Sequence, residues 1–291
     1  MDTADTLSTD NVGWQKRQSF FANGIDCEIM GPLTEAPFQS RYYPTDMQFR
    51  LVLKRTESNF HLDAISTVKP SDPPPYKLAW KSCQLYVKRV LVNPRIMAWH
   101  HKMLASNQKF TFPTQICETR IFTATKGAQT VISEPLFRST IPRVLVVTLL
   151  DPDRFHGDVT KAAFRFDSFT LSSIKACVDG NPIIYQNLEV SSTNKTALVA
   201  YNTIFDALDD IECGTDINRE NYLKGSFFVV LDMNPIQHIN RYLGTREGNV
   251  TLELRFSAPL DSSIMVMVLG FFQGQITIDS NRIASLEADQ H

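Results

Sequence analysis

Long apolar runs are missing from this 291-residue chain. The longest, such as Ser263–Phe272, reaches about half of the roughly 20 residues that a membrane-spanning helix requires. An excess of either charge is also missing. Lys plus Arg number 29 and Asp plus Glu 31, a net charge of -2, so the basic footprint of a nucleic-acid-binding domain is not there. Cysteine is scarce and unpaired in pattern: Cys27, Cys83, Cys117, Cys177 and Cys213 are scattered, with no C-x-x-C, which argues against a disulfide framework or a zinc knuckle. Reduced, mostly buried thiols in an intracellular setting are the expectation. Met1–Val12 is polar and acidic, without the basic and apolar regions of a secretory signal. The acceptor patterns at Asn194 and Asn249 are therefore not read as glycosylated. Gly-x-Ser-x-Gly, His-Glu-x-x-His, a Gly-rich phosphate loop and a Cys/His signature are all lacking, so no enzyme class is indicated.

What is present is strand pattern. Hydrophobic residues make up 43% of the chain, enough for a core without disulfides. Alternating or β-branched and aromatic runs predict strands at Asp26–Met30, Met47–Lys54, Lys77–Val92, Gln115–Ala124, Thr130–Ser133, Arg143–Leu150, Phe164–Val178, Ile183–Leu188, Ser226–Asp232, Val250–Phe256 and Ser263–Ile278. Asp179-Gly180-Asn181-Pro182, between two apolar runs, predicts a hairpin. Two segments read as helix. Arg95–Ser106 follows Asn93-Pro94, and Ala197–Ile211 carries Leu198, Tyr201, Ile204, Phe205, Leu208 and Ile211 in a stripe, with Asp206 and Asp210 opposite. Strands do not alternate with helices, so the fold class is all-β and antiparallel, a sandwich or barrel. Thr67–Pro75 holds four prolines, a sheet-breaking run that separates a short N-terminal piece from a long segment starting at Tyr76. That piece has too few strands to close a sandwich alone.

Three clusters raise the question of a site. Asp151-Pro-Asp153 with His156 and Asp158 has the donors of a divalent cation site, but it follows an apolar strand, where Asp, Pro and Gly157 make a turn; the turn is the preferred reading. His100 and His101 are adjacent on a helix, so they diverge by about 100° and cannot chelate as an i, i+4 pair would. The acidic run Asp206–Glu212 lacks the spacing of a calcium loop and reads as a solvated helix face. The six histidines fall mostly outside the strands, which disfavours a cupin-type metal site. No catalytic, cofactor-binding or metal-ligating residue is assigned, and no cofactor is expected.

Ordered blocks along the chain carry a resemblance. They are Arg41-Tyr-Tyr-Pro-Thr-Asp-Met-Gln-Phe-Arg-Leu-Val-Leu-Lys-Arg55, Tyr76-Lys-Leu, Leu85-Tyr-Val-Lys-Arg-Val90, Ile141-Pro-Arg-Val-Leu-Val-Val147 and Asp151-Pro-Asp-Arg-Phe-His-Gly157. Phe164-Arg-Phe-Asp167, Val178-Asp-Gly-Asn-Pro182, Tyr201-Asn-Thr-Ile-Phe205, Asn218-Arg-Glu-Asn-Tyr222 and Gly248-Asn-Val-Thr-Leu-Glu-Leu-Arg-Phe256 continue the series. Spread over about Trp14 to Arg282, they resemble the major capsid proteins of Polinton (Maverick) elements and adintovirus-like viruses. The resemblance implies a double jelly roll, hexon-like, with three copies forming a pseudo-hexagonal capsomer in the virion and a penton protein as neighbour. It implies no catalysis, membrane, small-molecule substrate or specific nucleic acid. On this reading residues 1–70 are the last strands of an incomplete first roll, 71–75 a Pro-rich linker, 76–282 a second roll and 283–291 a polar tail. The chain would be an N-terminally truncated copy of a structural virion protein, intracellular before assembly. The rival class is a free-standing β-sandwich binding module, lectin-like or adhesive.

Overall fold

The computed structural model describes residues 11–21, 24–39, 42–44, 47–61, 78–183, 188–190, 197–208, 217, 219–233 and 246–288. It is mostly antiparallel β-structure with short helices. In chain order the helices are α1 (Val12–Phe21), α2 (Ser58–His61), α3 (Pro94–Ala105), α4 (Pro152–His156), α5 (Leu198–Leu208) and α6 (Arg219–Tyr222), with a 3-10 turn at Ala36–Phe38. The strands are β1 (Phe110–Ala124), β2 (Thr130–Ile132), β3 (Val144–Leu150), β4 (Phe166–Asp167), β5 (Leu171–Val178), β6 (Asn181–Pro182), β7 (Leu188–Glu189), β8 (Lys224–Gly225), β9 (Val229–Asp232), β10 (Val250–Phe256), β11 (Ile264–Ile278) and β12 (Ala284–Ala288).

The chain divides into two compact units, the first formed by Met1–Met30, Thr56–Tyr76 and Cys117–Phe271. Its principal sheets run β1-β11-β3-β9 and β2-β10-β5-β6, with β7 also paired to β5. β6 and β7 both lie along β5, at Val178↔Asn181 and Ile174↔Leu188, and so act as one interrupted strand. Numbering the resulting eight strands by chain order gives sheets 1-8-3-6 and 2-7-4-5. Strand 1 lies beside 8, 2 beside 7, 3 beside 6 and 4 beside 5, the wrapping of a jelly roll. The turn between β5 and β6 is the Asp179-Gly180 pair, with φ of 49° and 80°, the positive values a tight hairpin turn demands.

Alternation builds the core. Along β10, Val250, Leu252, Leu254 and Phe256 point inward, and along β11 Ile264, Val266, Val268, Gly270 and Phe272 are buried. β9 is buried on both faces because α5 packs against it. Phe137 ties the sheets together. Its backbone bridges to Val250 in one sheet, and its ring lies against Gly270 in the other, where an added Cβ would come within 2.7 Å of the ring. Two buried hydroxyls are satisfied inside the roll: Thr148 Oγ1 donates to the Phe227 carbonyl at 2.9 Å, and Ser133 Oγ accepts from the Leu252 amide at 2.9 Å.

The second unit comprises Gly31–Arg55, Lys77–Ile116 and Phe272–His291. It contains α3, the first half of β1, the second half of β11, and β12, which hairpins onto β11 through Ile276↔Leu286. Asn93 caps α3 by accepting from the Arg95 amide at 2.9 Å. The Gln39 amide stands in for a strand neighbour of Gln115, accepting from its N–H and donating to its carbonyl, both at 2.9 Å.

The structure corrects several expectations. The described residues of 26–30, 47–54 and 78–92 hold no strand, because no ladder partner lies beside them among the described residues. The run expected at Phe164–Val178 is split into β4 and β5 by a turn in which Phe169 takes a φ of 47°. Ile183–Leu188 retains only Leu188 in a strand among its described residues, and Ser226–Asp232 begins its strand at Val229. Residues 284–288, expected in a polar tail, form β12. Four further helices exceed the two expected; α1 escaped notice because it buries Trp14 alone and has no apolar stripe. On α5 the buried face is Ala200 and Ile204 with Tyr201 and Phe205 half-buried, while Leu198 is exposed. Asp210 and Ile211 lie outside the described residues. Cys27, Cys83 and Cys117 are exposed and Cys177 half-buried, against the expectation of mostly buried thiols.

The Phe137–Gly270 contact sets a double-mutant test. Phe137→Ala is expected to cost about 3–5 kcal/mol, and Gly270→Ala about 1–3 kcal/mol by overpacking. In the double variant the added methyl occupies space the ring has left, so the loss should fall short of the sum by about 0.5 kcal/mol or more. Urea melts of the four proteins measure this, and strict additivity contradicts the contact.

Candidate functional site

The acidic motif after β3 folds into a braced loop. Asp151 caps α4, its Oδ1 accepting from the Asp153 amide at 2.9 Å. Lys161 Nζ reaches back to Asp151 Oδ2 at 3.0 Å and Asp153 Oδ2 at 2.5 Å. Asp158 Oδ1 accepts from the Thr160 amide and hydroxyl at 2.8 and 2.7 Å, and Arg154 Nη1 donates to the Ala162 carbonyl at 2.8 Å. The His156 ring packs edge-on against Phe155, 5.3 Å between centroids. These carboxylates are spent on lysine and backbone donors rather than gathered around a common point. Partial burial pushes the Asp151 carboxyl up, but the Asp153 amide and Lys161 together outweigh it and hold it below its ordinary 3.8. Burial likewise pulls Lys161 down, and the two carboxylates more than reverse that.

The other flagged residues are apart from this loop. His100 packs between Trp99 and Phe110, at 5.4 and 5.3 Å between rings, and His101 is exposed, its Nδ1 3.3 Å from Arg282 Nη2. Asp206 lies on α5; Asp209, Asp210 and Glu212 lie outside the described residues. Among the described residues no three His, Cys, Asp or Glu side chains gather as a metal's ligand set, and no helix is long and apolar enough to cross a membrane.

Two surfaces remain. The first is a groove of about 620 Å³ where the sheets end on β1 and β2, lined by Arg120, Thr123, Ile132, Ser133, Glu134 and Arg138 among others. Arg120 is held across it: Nε donates to the Leu136 carbonyl at 3.1 Å, Nη2 meets Glu118 at 2.8 Å, and the guanidinium lies over Phe137 at 5.4 Å. Among the described residues the two sheets end here, on β1 and β2. Its residues come from strand and loop positions with no shared motif, so the sequence offered no signal for it.

The second surface is apolar. In the run 85–92, Leu85, Tyr86, Val87, Val90, Leu91 and Val92 are all exposed, Leu91 fully. Phe49, Val52 and Leu53 are exposed in the same unit. The alternation that predicted strands here is the signal of that uncovered side.

The strand order defines a jelly-roll β-sandwich protein. No protein-family model and no curated protein matches the sequence. Among solved structures the chain is similar to the Sputnik virophage determined by cryo-EM, at 12% identity and a TM-score of 0.42, over 63% of this chain and 39% of that one. It is similar to the mavirus major capsid protein at 7% identity and 0.40, over 63% and 42%. It is similar to the PBCV-1 virus capsid at 10% identity and 0.37, over 67% and 54%. The match thus spans about two fifths to just over half of those chains. Likeness at this level bears on fold alone, and the jelly-roll assignment rests on the strand order.

The braced loop sets a pH test. Lys161 has a raised pKa when folded, so its contribution is full below its ordinary 10.5 and is lost as pH climbs past the raised value. Asp151 is depressed, so its contribution is full above 3.8 and is lost as pH falls through the lowered value. Lys161→Met should cost about 1 kcal/mol or less at neutral pH, since the pair is about a third exposed. It should also flatten the decline in melting temperature at both extremes. A variant whose pH profile parallels the parent's contradicts this.

Proposed function

We propose that the chain is a structural shell protein, similar to the C-terminal part of a Polinton or adintovirus-like major capsid protein, that works by packing against copies of itself. The carrying observation is the pairing of an eight-stranded jelly roll with a large set of exposed apolar side chains in segments that join no sheet among the described residues. A rigid sandwich supplies the scaffold, and the uncovered strips supply the contacts. The ordered blocks of resemblance from Arg41 to Phe256 favour the same reading. On this reading residues 1–70 belong to a first roll and residues 76–282 to the second. Self-association into trimers of pseudo-hexagonal outline, a penton neighbour and residence in the virion follow from this proposal. A net charge of -2 lets copies pack without strong mutual repulsion.

Light scattering coupled to size exclusion, followed by negative-stain microscopy, tests the proposal. Trimers or larger bodies are expected, with binding of a hydrophobic dye that falls when Val87 and Leu91 are both changed to Asp. A monodisperse monomer that binds no dye contradicts the proposal and favours the free-standing binding module.

A further inference from the structure

The braced loop has a face that the shell reading does not use. Gly157, directly after α4, has a φ of 93° and lies flush against the backbone of α2. A Cβ there would sit 2.9 Å from the Phe60 nitrogen and 3.0 Å from both Phe60 Cα and the Asn59 carbonyl carbon. The Phe60 ring meets Phe164 edge-on, centroids 5.8 Å apart and planes at 77°. The turn is held from within as well. The Phe60 amide donates to the Glu57 carbonyl at 3.1 Å, and Thr56 Oγ1 lies 3.4 Å from His61 Nδ1. Below it, the Lys161 clasp on Asp151 and Asp153 and the Arg154 bond to Ala162 stiffen the seat.

We infer that residues 56–61 are a strap seated on the loop from Asp151 to Phe164, fixing the chain to the roll just before its Pro-rich run. Gly157 is the contact point, because backbone meets backbone there with no room for a methyl group. Phe164 is the ring partner, 76% exposed. The strap is a local unit that can lift without unfolding the roll, since it joins no sheet.

Chymotrypsin cleavage after Phe60, followed by mass spectrometry on the full chain, reads the strap. Gly157→Ala is compared with Gly180→Ala, whose glycine also has a positive φ, 80°, but has nothing within 4 Å. Both variants carry the backbone strain, and only the first carries the clash. Cleavage after Phe60 should accelerate roughly tenfold in Gly157→Ala, as the open population rises, and stay at the parent rate in Gly180→Ala. Phe164→Ala removes the ring partner from an exposed position and keeps the test available if Gly157→Ala does not fold; it should accelerate the same cut several-fold. Cleavage after Phe60 unchanged in both Gly157→Ala and Phe164→Ala overturns the strap. So does acceleration after the buried Phe227 and Phe256 to the same extent, which assigns these residues to the roll itself.

Discussion

The fold depends on β11, a fifteen-residue strand that must be hydrogen-bonded on both sides while its inner face meets the opposite sheet. Within the roll its neighbours are β1 and β3, far from it in sequence, and not β10, which precedes it by a short loop; β12 hairpins onto its second half. β10 turns away into the second sheet, where it pairs with β5 from Val250↔Val178 onward. That separation of chain neighbours makes the structure a roll rather than a meander. The loop between them is held in place: the Gly127 amide donates to Leu260, the Leu260 amide to Ala128, and the Lys126 amide to Ser263 Oγ.

Strands with a covered face were legible. β10 and the first part of β11 show the alternation that half-burial imposes, β3 reads as an apolar run buried on both faces, and the bounds match expectation within a residue except at β1, which starts five residues early at Phe110. The pattern at Met47–Lys54 and Lys77–Val92 is as good, yet no ladder forms among the described residues. Alternation reports that a face is to be buried; it does not say by what. Strand formation needs a partner whose amides and carbonyls are in register, and that partner is not encoded in the local window. β6 and β7 lay below the reach of periodicity because two residues cannot display a period. α1 did so because it buries one side chain, Trp14, beneath the cap that Asn11 provides at 3.0 Å.

The site followed the same division. The acids at 151, 153 and 158 were visible as a cluster with turn residues among them, but their partner, Lys161, stood outside the motif. Cation-like donor sets near a lysine resolve into clasps when the amine can reach both carboxylates, as it does here. The groove beside Arg120 and Arg138 joins positions from β1, β2 and the following loop, a proximity that sheet closure creates.

Backbone NOEs on the deuterated protein, recorded between strands, test the central claim of a roll closed around β11 most directly. The account requires contacts pairing Leu269 with Val146 and Leu252 with Ala176, and no ladder between Val250–Phe256 and Ile264–Ile278. A hairpin joining those last two strands would contradict the jelly roll, and with it the scaffold on which the proposed assembly rests.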